Sequence, residues 1–321
     1  VRVYATALTP AQIQTDMATP VASARPGSEP AVSSGSTTPA PVASLTASSA
    51  STVAAARSSE TAKADVAAAR PSEPQPLRLM TWNINGGQDW AGTPSVDAQV
   101  ALMVSSGAQV IALQGVTIST AGDLSSLYQW KLEAATSRTW NTLWIPAPTQ
   151  LAPASQEGHL LLTTLAIADS TTTAFDSAPG NATMRDAKRA AGSIGVVVNG
   201  VTVHIATTQL AVDAAQRGAQ VAQLDGWLAG IPTPRLIGGD FQMRPTDTAY
   251  GQMASGFRDV WVAVGQPGAP GFTQTASTSP VGRMDYWWSE LTDQHVTPAA
   301  ISIVETSRSS HHAVVIDVTV Q

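Results

Sequence analysis

The sequence predicts an α/β (α+β) fold: a four-layer sandwich of two packed mixed β-sheets flanked by helices. Three observations carry this. A strand, helix, strand succession opens the region from Leu77 to Val116, the geometry of a parallel crossover. Asn199-Gly200 stands between two apolar alternating runs, the signal of a two-residue antiparallel hairpin. Short strands without intervening helices fill the last third. Crossovers and hairpins together require mixed sheets, and this many strands with amphipathic helices are best buried as two sheets with helices outside.

The elements follow in order. Leu77 to Ile84 alternates apolar and polar residues, as a half-buried strand does. Val96, Val100 and Met103 share one face of a helix from Val96 to Ser106, which Gly107 stops. Gln109 to Val116 is expected to be a buried strand. Ile194 to Val198 and Val201 to Thr207 flank the Asn-Gly turn. A helix from Asp213 to Ala229 turns Val221, Leu224 and Leu228 inward and ends at Gly230, before a strand from Arg235 to Gly239. Strands around Met284 to Trp288, Ala300 to Val304 and Ala313 to Val320 complete the series.

The apolar material is unevenly distributed. All nine tryptophans lie from Trp82 onward, whereas residues 20–76 contain no Ile, Phe, Trp, Tyr or Met and one Leu. That Ala/Ser/Thr/Pro-rich stretch cannot bury enough surface to offset its ordering entropy and is expected to be a disordered linker. Before it, Val1-Arg2-Val3-Tyr4 alternates, Thr9-Pro10 supplies a cap and a first-turn proline, and Ile13 and Met17 share a helical face. Residues 1–19 resemble the closing strand and helix of a laminin-G-like jelly roll, and an arbitrary amphipathic segment carries the same pattern. The resemblance implies a glycan or cell-surface partner. Together with the start at Val1 in mid-pattern, it leads us to expect a truncated piece of an extracellular or cell-surface protein. Three segments result: residues 1–19, the linker 20–76 and the folded domain 77–321.

There is no cysteine, which excludes disulfides, thiolate nucleophiles and Cys-ligated zinc. The apolar runs are far shorter than the ~20 residues of a membrane span. From Leu77 onward there are 12 Lys+Arg against 18 Asp+Glu, so the whole net charge of -6 sits on the folded part. That is a poor footprint for sequence-independent DNA binding, though it leaves a small phosphoester open as substrate. A monomer is expected.

Four motifs carry the chemistry: Met80-Thr81-Trp82-Asn83-Ile84-Asn85, Gly238-Gly239-Asp240-Phe241-Gln242, Arg283-Met284-Asp285-Tyr286 and Ser310-His311-His312-Ala313-Val314. Together they resemble the endonuclease/exonuclease/phosphatase family over residues 77–321, which implies a deoxyribonuclease-I-like fold and metal-dependent hydrolysis of a phosphoester in a nucleic acid, lipid or small molecule. Such hydrolysis requires a cation on the phosphoryl oxygens, an activated water and donors for the transition state. The resemblance implies Mg²⁺ or Mn²⁺ as cofactor, with Asn83 as the amide near the metal, Asp240 as the carboxylate that orients water, and Asp285 with His312 as a carboxylate–imidazole pair. Gln242 stands where the family has Asn, and Arg189 and His159 fall where it places phosphate-facing or polar residues. Read alone, Asn83 also suits a buried turn, Asp240 a cap, and Arg189 a solvated basic turn. Trp140, Trp144, Trp287 and Trp288 suit either a stacking rim or the core.

Departures from the pattern concentrate on the metal. Gly115 stands in place of the metal-binding Glu, Gln209 in place of a His, and His311 in place of the Asp before His312. His311, Asp240 and Asn83 remain as ligands for a softer ion such as Mn²⁺ or Zn²⁺. Two functions follow: a phosphodiester hydrolase or its impaired descendant, and alternatively a pseudo-hydrolase that serves as a binding or scaffold module of a secreted adhesion protein.

Overall fold

The computed structural model describes residues 73–152, 155–176, 189–265, 269–276 and 279–321. The expected laminin-G-like segment and the linker up to residue 72 lie outside the described residues. β1 (Gln75–Asn83) ends in a 3-10 turn and leads through α1 (Val96–Ser106) to β2 (Val110–Ser119). The two-residue β3 (Gly122–Asp123) opens α2 (Leu124–Thr136), followed by β4 (Asn141–Ala152), β5 (Ser155–Thr163) and β6 (Ile167–Ala174). β7 (Ala190–Val198) and β8 (Val201–Gln209) precede α3 (Ala214–Leu228) and β9 (Arg235–Asp240). Then come α4 (Thr248–Met253), β10 (Phe257–Asp259) and α5 (Val260–Ala263). The small pair β11 (Gln274–Ala276) and β12 (Ser279–Gly282) precedes β13 (Asp285–Glu290), β14 (Val296–Val304) and β15 (Ala313–Val320).

One sheet runs β14-β15-β1-β2-β5-β4 with β3 beside β2, and the other runs β10-β13-β9-β8-β7-β6. β1 with β2 and β8 with β9 are parallel, each joined by a crossover helix, and their neighbours are antiparallel. The alternation of side chains along each strand divides the core. Leu77, Leu79, Val110, Ala112, Ile205, Trp287 and Ile316 fill the space between the sheets. Met80, Trp82, Ile111 and Leu113 point the other way, onto Val100 and Met103 of α1 and Tyr128 and Leu132 of α2. On the outer face of the second sheet, Ile237 and Trp288 meet Val221, Leu224 and Leu228 of α3 and Met253 of α4. The expected four-layer sandwich is what these three clusters build.

Local chemistry ends the elements where expected. Gly107 closes α1 at φ +68°, and Asn199 and Gly200 both take positive φ, at 53° and 80°, as a primed hairpin turn requires. Asp213 caps α3 by accepting from the backbone N–H of Ala215 and Gln216. Trp140, Trp287 and Trp288 are core residues rather than a stacking rim, with 3%, 0% and 0% of their surface exposed.

The ladder registers deliver the site. Asp240 at the end of β9 lies between Gln209 at the end of β8 and Asp285 at the start of β13, while Asn83 at the end of β1 faces Gln114 on β2.

Candidate active site

Asp240 is completely buried, yet amides satisfy it. Asn83 Nδ2, Gln209 Nε2 and Gln242 Nε2 all donate to its Oδ2, at 2.9, 3.0 and 2.7 Å, and the Gln242 backbone N–H donates to Oδ1 at 3.2 Å. Donors gathered in this way offset the cost of burying a carboxylate. Gln242 reaches back only because its own φ is +51°, an uncommon conformation for a residue with a side chain and one of the kind that gathers at functional sites. The two glycines before Asp240 are required by packing. A Cβ on Gly239 would collide with the Thr208 carbonyl oxygen of β8, and one on Gly238 would meet the Trp287 ring at 2.7 Å.

The carboxylate–imidazole pair forms one residue earlier than the sequence led us to expect. His311 Nδ1 bonds Asp285 Oδ2 at 2.8 Å, and its Nε2 lies 3.9 Å from Asp240 Oδ2. His312 instead accepts the Thr306 backbone N–H on its Nδ1 at 3.0 Å, and burial holds it below the ordinary imidazole value. Adjacent residues of an extended segment face opposite ways, so only one of the two histidines can face Asp285. Burial alone would lower the pKa of His311, but the carboxylates of Asp285 and Asp240 override it and raise the ring to about 9. Burial also raises Asp285, partly offset by His311 and reinforced by Asp240. The pair therefore retains a proton at neutral pH. The Trp82 indole N–H donates to the His311 carbonyl at 2.8 Å, and Ser309 Oγ donates to the Asn83 carbonyl at 2.6 Å, which pins this segment to the end of β1.

Above these groups opens a cleft of about 560 Å³, lined among others by Asn83, Gly115, Glu157, Arg189, Gln209, Gln242 and His311. Arg189, expected at the phosphate, lies in it and is paired with Glu157 through Nη1 and Oε1 at 3.5 Å. Glu157 was not legible as a site residue: it sits on β5 opposite Thr117, and no motif announces it. His159 lies fully buried, outside the cleft lining. Backbone groups of Gly158 and Ala190 lie near its ring, but neither nitrogen reaches hydrogen-bond geometry. Burial, then the Arg189 charge, depress it to about 3, so it is a neutral core imidazole. Gln114 joins the two sheets beneath the cleft by donating to Thr81 Oγ1 at 3.0 Å and Thr207 Oγ1 at 2.8 Å.

The donors can be tested against the divalent cation. Asp240, Asp285 and His311 each present a ligand atom, all within 4.8 Å of one another, and Asp285 Oδ1 is buried without a hydrogen-bond partner. Two carboxylates and an imidazole fit a divalent ion that accepts nitrogen, such as Mn²⁺ or Zn²⁺, better than Mg²⁺. Position 115 adds no ligand, and Asn83 Oδ1 accepts the Asn85 backbone N–H at 3.0 Å. Asn83 thus abuts the cluster through its nitrogen.

Comparison with known proteins agrees with the fold. The family model described as "Endonuclease/Exonuclease/phosphatase family" matches residues 80–309. No curated protein matches the chain in sequence. Among solved structures, an endonuclease/exonuclease/phosphatase from Beutenbergia cavernae superposes with a TM-score of 0.64 at 20% identity, over 76% of this chain and 72% of that one. The human Nocturnin catalytic domain with bound sulfate anion gives 0.58 at 18%, over 79% and 100%. D. rerio TDP2 complexed with single strand DNA product gives 0.56 at 15%, over 76% and 98%. At these identities the structures establish the fold.

Proposed function

Because the chain belongs to the endonuclease/exonuclease/phosphatase family, we propose that it is a phosphoester hydrolase acting in the cleft above Asp240. The observation that carries this is the position of His311, bonded to Asp285 at 2.8 Å with its other nitrogen 3.9 Å from Asp240. Arg189 and the amides of Asn83, Gln209 and Gln242 receive the phosphoryl oxygens or hold the groups that do. Asp240 orients the attacking water. His311 takes the role expected of His312: kept protonated by its carboxylates, it donates toward the phosphoryl or leaving oxygen, while Asp285 fixes its tautomer. A divalent cation would be held by Asp240 and Asp285 and would neutralise phosphoryl charge when bound; His311 joins as a third ligand only without its Nε2 proton, so it does not serve as ligand and acid at once. The sulfate in Nocturnin and the single-stranded DNA product in TDP2 are consistent with an anionic phosphoester here.

The test is cleavage of bis(p-nitrophenyl) phosphate and of plasmid DNA with Mg²⁺, Mn²⁺ or Zn²⁺. Asp240→Ala and His311→Ala are expected to lower turnover at least tenfold, or about 1.4 kcal/mol of barrier, while His312→Ala stays within about threefold. Rates in the first two equal to wild type would reject the proposal.

Gly115 favours a second reading, in which the domain binds phosphoesters without turning them over, as a scaffold in an extracellular protein. Calorimetric titration separates the two. Cation binding with turnover supports the hydrolase, and binding of a phosphodiester with neither supports the scaffold.

A further inference from the structure

Thr273 belongs to none of the four motifs, is 1% exposed, and lies in the segment before β11. Its hydroxyl oxygen accepts two backbone N–H groups, Met284 and Asp285, each at 3.0 Å. Its carbonyl accepts the backbone N–H of His312 at 2.6 Å, and its own N–H donates to the Gly282 carbonyl at 2.9 Å. The next residue, Gln274, forms an isolated antiparallel bridge with His311. One residue thus holds the backbone of Asp285 with its side chain, and that of the 311–312 segment with its main chain.

The arrangement has a physical reason. Buried backbone N–H groups require acceptors, and at the start of β13 the amides of Met284 and Asp285 take theirs from a side chain. The hydroxyl, having accepted twice, keeps one proton to give. That proton bears on the Asp285 carboxylate, short of a full hydrogen bond, since Asp285 Oδ1 has no partner. Any shift of Thr273 therefore changes the position of Asp285 against His311.

We propose that Thr273 is the positioning residue of the Asp285–His311 pair, setting through its hydroxyl and its carbonyl the geometry in which imidazole and carboxylate meet. Its assignment to turnover rests on the hydrolase reading above, whereas its effect on the pair does not. Valine matches threonine in shape and lacks the hydroxyl, so Thr273→Val removes the hold on Met284 and Asp285 and keeps the carbonyl bond to His312. Serine keeps the hydroxyl.

The experiment uses the full chain, uniformly ¹⁵N-labelled. The imidazole Nδ1–H of His311, bonded to Asp285, gives a downfield proton resonance that His311→Gln identifies by its loss. The resonance is expected in wild type and Thr273→Ser, and is expected to be lost in Thr273→Val with the rest of the spectrum intact. With a phosphodiester substrate, kcat in Thr273→Val falls about tenfold or more with KM little changed, and Thr273→Ser restores it. An unmoved resonance in Thr273→Val overturns the proposal. A lost resonance with no turnover in wild type upholds it and rejects the hydrolase reading instead. Should Thr273→Val fail to fold, amide exchange in the wild type decides: Met284, Asp285 and His312 must be protected to the level of the adjoining β13 amides, and fast exchange at these three overturns the clamp.

Discussion

Gly115 holds φ at +68°, and a Cβ built on it would stand 2.8 Å from Asn83 Oδ1. The glycine sits in an irregular stretch of backbone: the β2/β5 register shifts between Leu113 and Val116. Gly115→Ala is expected to cost about 1–3 kcal/mol, read as a lower urea midpoint at unchanged m-value. Gly115→Glu should fail to supply a metal carboxylate for the same reason. The histidines give a second prediction. His311 has a raised folded pKa, so its contribution is complete below about 6.5, its unfolded value, and is lost as pH rises toward about 9. Asp285, also raised, acts with the same sign. His159 is depressed to about 3, so its contribution is present above 6.5 and lost as pH falls through the range down to 3. Chemical denaturation across pH should therefore find greatest stability near neutrality, with His311→Gln flattening the alkaline limb and His159→Gln the acid one. At this scale the sequence disclosed the residues with local signatures: Asp240 behind two glycines, Asp285 inside its motif. It left the register of His311 and His312 open, because which of two neighbouring histidines faces inward depends on strand pairing. Glu157 and Thr273 carried no signature, since each acts through partners distant in sequence.

Among the elements, those whose ends are fixed by local chemistry were legible. α1 appeared with its glycine stop, α3 to within one residue at each end, and the Asn-Gly hairpin with its turn. α2 was not assigned, although a signal exists: Asp123 accepts from the backbone N–H of Ser125 and Ser126, and Tyr128 and Leu132 stand four apart on the buried face. β4 to β6 carry mixed, Thr-rich or interrupted patterns, and tertiary pairing decides them. Removing the α3 cap with Asp213→Ala should cost about 1 kcal/mol in thermal or urea unfolding. Gln114→Leu should cost more, because Thr81 and Thr207 both lose the amide that joins the two sheets beneath the cleft.

For the whole molecule, charge limits partners. With a net charge of -6 on the folded part, band-shift assays at about 0.15 M salt should show no sequence-independent retention of duplex DNA at micromolar protein. Tight binding there would overturn this limit. Among the described residues, no helix is long and apolar enough to cross a membrane. Trp82 and Ser309 lock the end of β1 to the segment before β15 across 229 and 226 positions of sequence. Loops of that length close slowly, because their entropy is lost before any contact rewards it. A ribosome would have to release β15 before the imidazole could meet its carboxylate. Nascent or prematurely ended chains would therefore lack both the strand that joins β14 to β1 and the pair beside it.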